Sequence, residues 1–393
     1  MKPLFLSRPG ILSALGNGAE QTFSRLIAGH TQGMRVEEGW LANAPARVGK
    51  VIAELPPIPK ALEQHDSRNN RLLLAAFAQI RDDFALAVSR YGSNRIGIIL
   101  GTSTSGIAEG EAAIAHHERN GSLPAGFAYE QMDIGNPAVF LASHLGIHGP
   151  AYTVSTACSS GNKAMISARN LIRAGMCDAV LTGAVDSLCR LTIGGFTALE
   201  STTPDLCQPL SRNRRGINIG EGAALFILSG QESPVAFVGA GESSDACHIS
   251  APEPSGRGAE NAMRAALHDA RLSAADIGYL NLHATATIKN DAMESIAVDR
   301  VFPDGVPVSG TKPMTGHALG AAGAIEAALC WLSLTDPEGR LPPHVWDGQS
   351  DHALPVLNVV TPGQRFAGSR RFAMSNSFAF GGNNASLIFG AQG

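Results

Sequence analysis

Two strand-like segments of the chain recur in similar form in its second half. The apolar run IGIIL at 96–100 is followed by GTST, and the run YLNL at 279–282 is followed by HATAT. The run VSTAC, which ends at Cys158, has a counterpart in VSGTK, which ends at Lys312, and each leads into a helix-like segment rich in small residues. We therefore predict two related halves whose equivalent strand ends meet at one place.

No linker rich in proline, serine or charge divides the 393 residues. With 44% hydrophobic and 16% charged residues, the chain can bury a large core. We expect one compact body of two fused halves, the first over residues 1–235 and the second over residues 236–393.

The charge and cysteine content narrow the classes of partner. A formal net charge of −4 argues against nucleic acid. The six cysteines include no close pair, and the histidines lack ligand spacing, so neither a disulfide framework nor a metal site is expected. The first residues do not resemble a signal peptide, and no apolar stretch of about 18 residues follows. We expect a cytoplasmic protein that does not insert into a membrane.

Cys158 lies where a short apolar run gives way to a helical pattern. Apolar residues recur at helical spacing after Gly161, at Ala164, Met165, Ala168, Leu171 and Ile172. A thiol at the N-terminus of a helix has a lowered pKa and is a plausible nucleophile. A small buried cysteine that only packs the junction is the alternative.

Two histidines each follow a predicted strand. His283 comes directly after its strand, whereas His317 lies in a glycine-containing turn before a predicted helix over residues 321–334. Either histidine alone is more typical of ordinary core or surface. Together with Cys158 they form a Cys-His-His set.

Five separated segments together resemble the β-ketoacyl-acyl-carrier-protein synthases of the elongating types I and II, within the thiolase-like superfamily. They are TACSSG (156–161), PLSRNRRG (209–216) with GEGA (220–223), HATAT (283–287) with ND (290–291), GTKPMTGHALGAAGAIE (310–326) and NSFAFGGNN (376–384). In order and spacing they span most of the chain. The resemblance implies an α/β fold of five layers, α-β-α-β-α, built from two duplicated halves.

The resemblance also implies a decarboxylative Claisen condensation. Cys158 would hold an acyl chain as a thioester. His283 and His317 would face a malonyl group on an acyl carrier protein and stabilise the enolate left when carbon dioxide departs. Which histidine handles the proton is left open. The substrates are carried on phosphopantetheine, and the reaction needs no organic cofactor.

Supporting roles follow for three further residues. The family's counterpart of Lys312 is a polar support of the site, although a solvated surface lysine is the alternative. Glu326 interrupts an apolar helix, and a buried carboxylate must be paired, so a structural ion pair is at least as plausible as a catalytic role. Asp291 is assigned to the same supporting group.

The remaining site residues are assigned to the substrate channel. The backbone N–H groups of Cys158 and Phe380 would form the oxyanion hole, and Phe380, with Phe378 beside it, would form a gate. Thr285 and Thr287 would bind the pantetheine arm, since alternation along an extended segment points both hydroxyls to one side. Core packing of the two phenylalanines and simple β-branched preference of the threonines are the alternatives.

Four positions depart from the family pattern. Ala284 and Ile288 stand where glycine and proline are common, and Ala379 and Asn383 replace glycine and threonine in the gating loop. The two changes near His283 are expected to reshape the pantetheine channel. Fatty-acid elongation and a specialised pathway, such as elongation of aryl polyenes or polyketides, therefore remain near-equal interpretations.

The family implies a dimer, either of identical chains or with a related subunit that lacks the cysteine. We expect part of the interface between residues 106 and 150. Arginines are candidates for docking an acidic carrier protein, namely Arg68, Arg71, Arg212, Arg214 and Arg215.

A non-condensing subunit of the chain-length-factor type is the main alternative, and retention of Cys158 argues against it. Thiolases use two cysteines and one histidine, and initiating synthases have an asparagine where this chain has His317.

Overall fold

The computed structural model describes residues 2–368 and 371–392. Its strands are β1 (Phe5–Leu6), β2 (Gly10–Ser13), β3 (Gly16–Asn17), β4 (Met34–Glu37), β5 (Ala46–Gly49), β6 (Ile96–Gly101), β7 (Ala151–Val154), β8 (Ala179–Asp186), β9 (Gly222–Ser229), β10 (Val235–Ser244), β11 (Tyr279–Asn281), β12 (Pro307–Ser309), β13 (Asn358–Val359), β14 (Phe372–Ala379) and β15 (Asn383–Ala391). Its helices are α1 (Ala19–Ile27), α2 (Arg68–Ala78), α3 (Arg81–Tyr91), α4 (Ile107–Asn120), α5 (Asn136–Leu145), α6 (Ser160–Arg173), α7 (Arg190–Ala198), α8 (Arg257–Ala270), α9 (Ile288–Val301), α10 (Lys312–Thr315) and α11 (Ala322–Thr335).

Most strands join one hydrogen-bonded path, in the order β13-β12-β11-β14-β15-β10-β1-β9-β8-β6-β7. In the first half, β9 pairs antiparallel with β8, β8 pairs parallel with β6, and β6 pairs parallel with β7. In the second half, β15, β14, β11 and β12 repeat this series of one antiparallel and two parallel pairings. The short strand β1 joins the halves by pairing with both β9 and β10.

The repeated topology confirms the prediction of duplicated halves. β6 and β11 occupy equivalent central positions, and β7 and β12 occupy equivalent positions beside them. These are the two pairs of segments that look alike in the sequence. The first half ends its last strand at Ser229 and the second begins with Val235, while the boundary between residues 235 and 236 stays a prediction.

Two helices fill the space between the halves. α11 is apolar on all sides and buried along nearly its whole length, as expected of a helix surrounded by protein. α6 packs beside it and contacts strands of both halves. Helices α2, α3 and α5 cover the outer face of the first half, and α8 and α9 cover that of the second, which gives the predicted five layers.

Gly161, in the first turn of α6, allows the two central helices to approach closely. A Cβ atom at this position would lie 2.9 Å from the backbone nitrogen of Ala324 and 3.0 Å from the carbonyl oxygen of Gly320. Both contacts are with backbone, which cannot swing away as a side chain can. The glycine after the cysteine in TACSSG therefore brings the start of α6 against the start of α11.

Among the described residues, no helix combines the length and the apolar character needed to cross a membrane.

Candidate active site

Cys158 lies in a tight turn between β7 and α6. Ala157, the residue before it, has a φ of 50°, which is unfavourable for a residue with a Cβ atom. The Ser160 hydroxyl donates to the Ala157 carbonyl oxygen at 2.6 Å and accepts from the Thr156 N–H at 2.9 Å. These bonds hold the turn, so that Cys158 precedes the first turn of α6 as predicted and is buried.

The structure brings Cys158, His283 and His317 together. His317 Nε2 lies 3.1 Å from Cys158 Sγ, which is hydrogen-bond distance for a thiol. The two imidazole rings meet edge to face, with centroids 5.3 Å apart. One donor atom from each of the three residues lies within 4.8 Å of the others. The predicted Cys-His-His set is therefore a single buried cluster.

The prediction of a thiol with a lowered pKa is wrong for the unliganded protein. Burial raises the pKa of Cys158 to about 12, and the opposing effect of Lys312 is smaller. Burial also lowers the pKa values of His283 and His317 well below their ordinary value. The resting site thus holds a protonated thiol beside a neutral imidazole, which can accept the thiol proton.

Lys312 supports His283 by a hydrogen bond to its backbone. The buried Lys312 ammonium donates to the carbonyl oxygen of His283 and to Glu326 Oε1, the latter at 2.6 Å. Burial raises the pKa of Glu326 to about 7, although the Lys312 charge acts in the opposite direction. The second carboxylate oxygen of Glu326 is buried and has no hydrogen-bond partner among the described residues. Lys312 thus contacts the backbone of His283, and Glu326 is paired with Lys312 behind it.

Asp291 shapes the turn that follows His283. Its carboxylate accepts from the backbone N–H groups of Leu210 at 2.8 Å and Ala286 at 3.1 Å. Ala284 and Ala286 both have positive φ, at 40° and 60°. Asp291 therefore stabilises an unfavourable backbone conformation around residues 283–287.

Sequence reasoning missed Glu294, one turn along α9 from Asp291. Its carboxylate oxygens accept from the backbone N–H groups of His283 at 2.8 Å and Ala284 at 2.7 Å. Burial raises its pKa to about 7. The available signal was an acidic residue three positions after Asp291 in a helix, where both face the same side.

A cavity of about 350 Å³ leads from the surface to the Cys-His-His cluster. Thr285 and Thr287 line it, and their hydroxyl oxygens lie 2.9 Å apart, on one side as predicted. The predicted reason was wrong, because the positive φ values at Ala284 and Ala286 make this segment irregular rather than a regular extended strand. The role of both threonines toward pantetheine stays a prediction.

Phe378 and Phe380 line the same cavity on either side of Ala379. Phe378 is buried, with its ring edge to face with that of His283 at a centroid distance of 6.2 Å. Phe380 is partly exposed and contacts Phe196 of α7, with centroids 5.3 Å apart. Gly381 and Gly382 follow with positive φ. The oxyanion-hole and gating roles stay predictions.

Ala284 and Ile288, the two residues near His283 that depart from the family pattern, have different surroundings in the structure. Ile288 lines the cavity and is 68% exposed. Ala284 is buried, and its methyl group faces Gly310, where an added Cβ would lie 2.6 Å away. The residues that line the cavity include Ile288 but not Ala284. Of the two predicted changes to the channel, only the one at Ile288 is supported by this geometry.

Three of the five arginines proposed for carrier docking form ion pairs with carboxylates of the same chain. Arg68 pairs with buried Glu221 at 2.5 Å, Arg71 pairs with Asp66 at 2.6 Å, and buried Arg214 pairs with Asp351 at 2.5 Å. Two arginines remain exposed, Arg212 and Arg215. Only Arg215 lines the cavity.

The cluster also bears on the expectation that no metal is bound. That expectation came from the spacing of histidines along the chain, whereas the fold brings one thiol and two imidazoles together from distant positions. Thiol and imidazole are ligands that zinc accepts. The spacing argument therefore fails, and a metal-free reaction stays a prediction.

Comparisons with known proteins place the chain among ketosynthases. The family model described as "Beta-ketoacyl synthase, N-terminal domain" matches residues 14–233, and its C-terminal counterpart matches residues 235–345. Nodulation protein E of Rhizobium meliloti is 34% identical over 87% of this chain and 88% of its own length. The 3-oxoacyl-[acyl-carrier-protein] synthase 2 of Vibrio cholerae is 32% identical over 97% of both chains.

A solved structure is similar over the whole length of the chain. It is the ketosynthase ApeO in complex with its chain length factor, ApeC, from Xenorhabdus doucetiae. The match has a TM-score of 0.95 and 46% identity, and covers 100% of this chain and 98% of that one.

Proposed function

The chain belongs to the beta-ketoacyl synthase family, and from that membership we propose that Cys158, His283 and His317 carry out a decarboxylative condensation. An acyl chain bound to Cys158 is joined to malonyl-acyl-carrier protein to give β-ketoacyl-acyl-carrier protein. The observation that carries the assignment of residues is the 3.1 Å contact between Cys158 Sγ and His317 Nε2, with His283 beside it.

In the first half-reaction, Cys158 Sγ attacks the thioester carbonyl of the acyl donor. Because the thiol is protonated and His317 is neutral, His317 Nε2 accepts the thiol proton as the new carbon–sulfur bond forms. The bond between the acyl carbon and the carrier thiol breaks, and the leaving thiolate takes up the proton. The acyl chain is then held on Cys158.

In the second half-reaction, the malonyl group occupies the cavity opposite the acylated thiol. Its carbon–carboxylate bond breaks, carbon dioxide leaves, and the electron pair forms an enolate. The neutral imidazoles of His283 and His317 donate N–H groups to the enolate oxygen. The enolate carbon attacks the acyl carbonyl and the bond to Cys158 breaks. The Cys158 thiolate then takes up one proton from solvent water, so the half-reaction consumes one proton overall. No organic cofactor enters this sequence.

The carrier protein docks at the mouth of the cavity in this proposal. Arg215 and Lys289 are exposed there, and neither forms an ion pair with a residue of the described chain. Large apolar side chains are exposed beside them, including Ile288 and, at 82%, Ile249. An acidic carrier with an apolar helix face matches this combination. Thr285 and Thr287 then face the pantetheine arm.

A second subunit covers the surface around β7 in this proposal. β7 ends the strand path and pairs with β6 alone within the described residues, so its other edge is open. Large apolar side chains are exposed on β7 itself, on α5, which packs against it, and on residues 107–131 before α5, at Tyr152, Val139, Ile114, Leu123 and Tyr129. The similar ketosynthase from Xenorhabdus doucetiae, solved with its chain length factor, favours a related subunit over an identical one.

For the pathway, we propose specialised polyene or polyketide elongation, with fatty-acid elongation as the competing assignment. Ile288 lines the mouth of the channel at a position where the family commonly has proline. The whole-length similarity to a ketosynthase with a chain length factor points the same way. The cytoplasm is the proposed location. The role of a non-condensing subunit is disfavoured because Cys158 is retained and contacts His317.

Intact-protein mass spectrometry tests the assignment of the nucleophile. Wild type and Cys158→Ala are mixed with carrier proteins that bear saturated or aryl-polyene acyl chains, with and without a related partner subunit. We expect one acyl adduct on the wild type and none on the variant. Preference for conjugated aryl chains supports the specialised pathway, and preference for saturated chains supports fatty-acid elongation. Absence of an adduct under every condition contradicts the catalytic assignment.

A further inference from the structure

Asp186, the last residue of β8, is a fully buried carboxylate behind the nucleophile turn. Its Oδ1 atom accepts from Thr102 Oγ1 at 2.6 Å, Ser103 N at 2.7 Å, Thr104 N at 2.8 Å and Thr104 Oγ1 at 2.9 Å. Its Oδ2 atom accepts from Ala321 N at 3.2 Å. None of the ion pairs among the described residues includes Asp186.

Burial raises the pKa of Asp186 above its ordinary value, and these hydrogen bonds act in the opposite direction by favouring the ionised carboxylate. The Thr102 hydroxyl oxygen accepts from the Ser105 N–H, and that of Thr104 accepts from the Ser187 N–H. Each hydroxyl hydrogen is therefore free to point at Asp186. Every group that faces the carboxylate is a donor, which suits an acceptor that carries no proton.

Asp186 connects the segments that carry two of the site residues. It holds residues 102–104, and the Ser103 hydroxyl donates to the Ala157 carbonyl oxygen at 3.0 Å, next to Cys158. Through Ala321 it also holds the turn between His317 and α11, where Leu319 has a φ of 47°. Both turns contain unfavourable backbone conformations that need such support.

Space around the carboxylate is limited as well. A Cβ atom at Gly320 would lie 2.6 Å from Ser103 Oγ and 2.9 Å from Asp186 Oδ2. The turn after His317 therefore lies directly against Asp186 and the serine that contacts the nucleophile turn.

We propose that Asp186 is a positioning residue that sets the placement of Cys158 against His317 by holding the two turns that carry them. Its negative charge also opposes formation of the thiolate at Cys158, in addition to the larger effect of burial. This inference rests on the proposed function for its catalytic consequence. The charged or titratable groups that face Cys158 are His283, His317, Lys312, Glu326 and Asp186. Of these, Lys312 favours the thiolate, whereas Asp186 and Glu326 oppose it.

The test is Asp186→Asn, which keeps the shape of the side chain and removes its charge. Labelling of Cys158 by iodoacetamide is followed by peptide mass spectrometry across pH, with exposed Cys247 as the internal reference. Because the negative charge is gone, Cys158 should be labelled about threefold faster or more at a given pH. Condensation should fall about tenfold or more, because the two turns lose their common acceptor.

Two further variants separate positioning from general damage to the fold. Thr182→Val changes another buried residue of β8, whose hydroxyl has no hydrogen-bond partner within residues 2–368 and 371–392, and should leave both rates unchanged. Ser103→Ala keeps the charge and removes the bond to Ala157, so it should slow condensation without faster labelling.

The proposal is overturned if Asp186→Asn labels no faster than Thr182→Val, or if labelling and condensation fall together with thermal stability. The labelling readout requires no condensation, so it remains informative if the proposed reaction itself is wrong.

Discussion

At the scale of single residues, burial decides the chemistry of the site. It keeps the Cys158 thiol protonated and both histidines neutral, and it raises the pKa of Glu326 to about 7. Each group therefore depends on a specific neighbour for its function. In the proposed mechanism His317, which lies 3.1 Å from the thiol, accepts the thiol proton, whereas Lys312 pairs with Glu326.

Removal of the Lys312 charge should strongly lower the stability of the fold. Lys312→Met leaves Glu326 buried without its partner, which we expect to lower the free energy of unfolding by about 3–5 kcal/mol. Lys50→Met is the matched control, because Lys50 pairs with Glu37 in a partly exposed site and should cost about 1 kcal/mol or less. Urea unfolding measures both. If the two variants lose equal amounts of unfolding free energy, the role assigned to the buried pair of Lys312 and Glu326 is contradicted.

Neutral burial of His317 predicts a specific pH dependence. The ordinary pKa of histidine, about 6.5, applies to the unfolded chain, whereas the folded pKa lies well below it. Below about pH 6.5 the unfolded chain binds more protons, so His317 lowers stability progressively as pH falls.

As the pH is lowered from about 8 to about 5, the free energy of unfolding of His317→Asn should therefore rise relative to that of wild type. Below about pH 6.5 this relative gain is at most about 1.4 kcal/mol per pH unit. Thermal unfolding across pH measures the difference, with exposed His117→Asn as control. A difference that does not change with pH excludes the neutral buried state.

The identities of the three clustered residues follow from the sequence through the resemblance of five separated segments to a known family. The strand-end patterns alone place each residue at the end of an element but favour an ordinary core or surface role. Sequence reasoning failed on the state of Cys158, since a helix N-terminus is visible in sequence but the extent of burial is not. Asp186 and Glu294 were missed for a related reason. The partners of Asp186 are backbone N–H and hydroxyl groups of distant segments, and local patterns carry no record of such bonds. The position of Glu294, three residues after Asp291 in a helix, is a signal of a shared face, but it does not indicate the bonds to the backbone of residues 283–284.

At the scale of elements, the turn between α10 and α11 requires a glycine at position 316. Gly316 has φ 71° and ψ 168°, a region that other residues avoid. A Cβ atom there would also lie 2.8 Å from the Cα atom of Gly220. Gly92, at the end of α3, has the similar values φ 78° and ψ 151°, but nothing lies within 4 Å of its added Cβ.

The two glycines form a matched pair of substitutions. Gly92→Ala should cost about 1–3 kcal/mol from backbone strain alone. Gly316→Ala adds a backbone clash beside His317, so it should cost more and slow acylation of Cys158. Denaturant unfolding and acyl loading measure the two effects. If Gly316→Ala loads normally and is no less stable than Gly92→Ala, the close contact is not required.

At the scale of the whole molecule, the open edge of β7 and the apolar side chains around it predict a partner subunit. Ile114 and Tyr129 are 58% and 69% exposed on the segment where sequence analysis expected an interface. Replacement of both by glutamate should prevent association, because charged groups would be buried without partners.

Sedimentation velocity, on the chain alone and mixed with a related subunit, tests the predicted interface. Leu86→Glu, on the exposed side of α3, is the control and should associate like wild type. A double variant that still assembles contradicts the assignment of this surface.

The central claim is that Cys158 forms the acyl intermediate that is consumed by decarboxylative condensation. The most direct test is a single-turnover reaction of Cys158-acylated protein with malonyl-carrier protein labelled with ¹³C in its free carboxyl group. The account predicts that labelled carbon dioxide and β-ketoacyl-carrier protein appear in equal amounts as the acyl adduct on Cys158 disappears. An adduct that persists while labelled carbon dioxide is released, or a condensation product from Cys158→Ala, would contradict it.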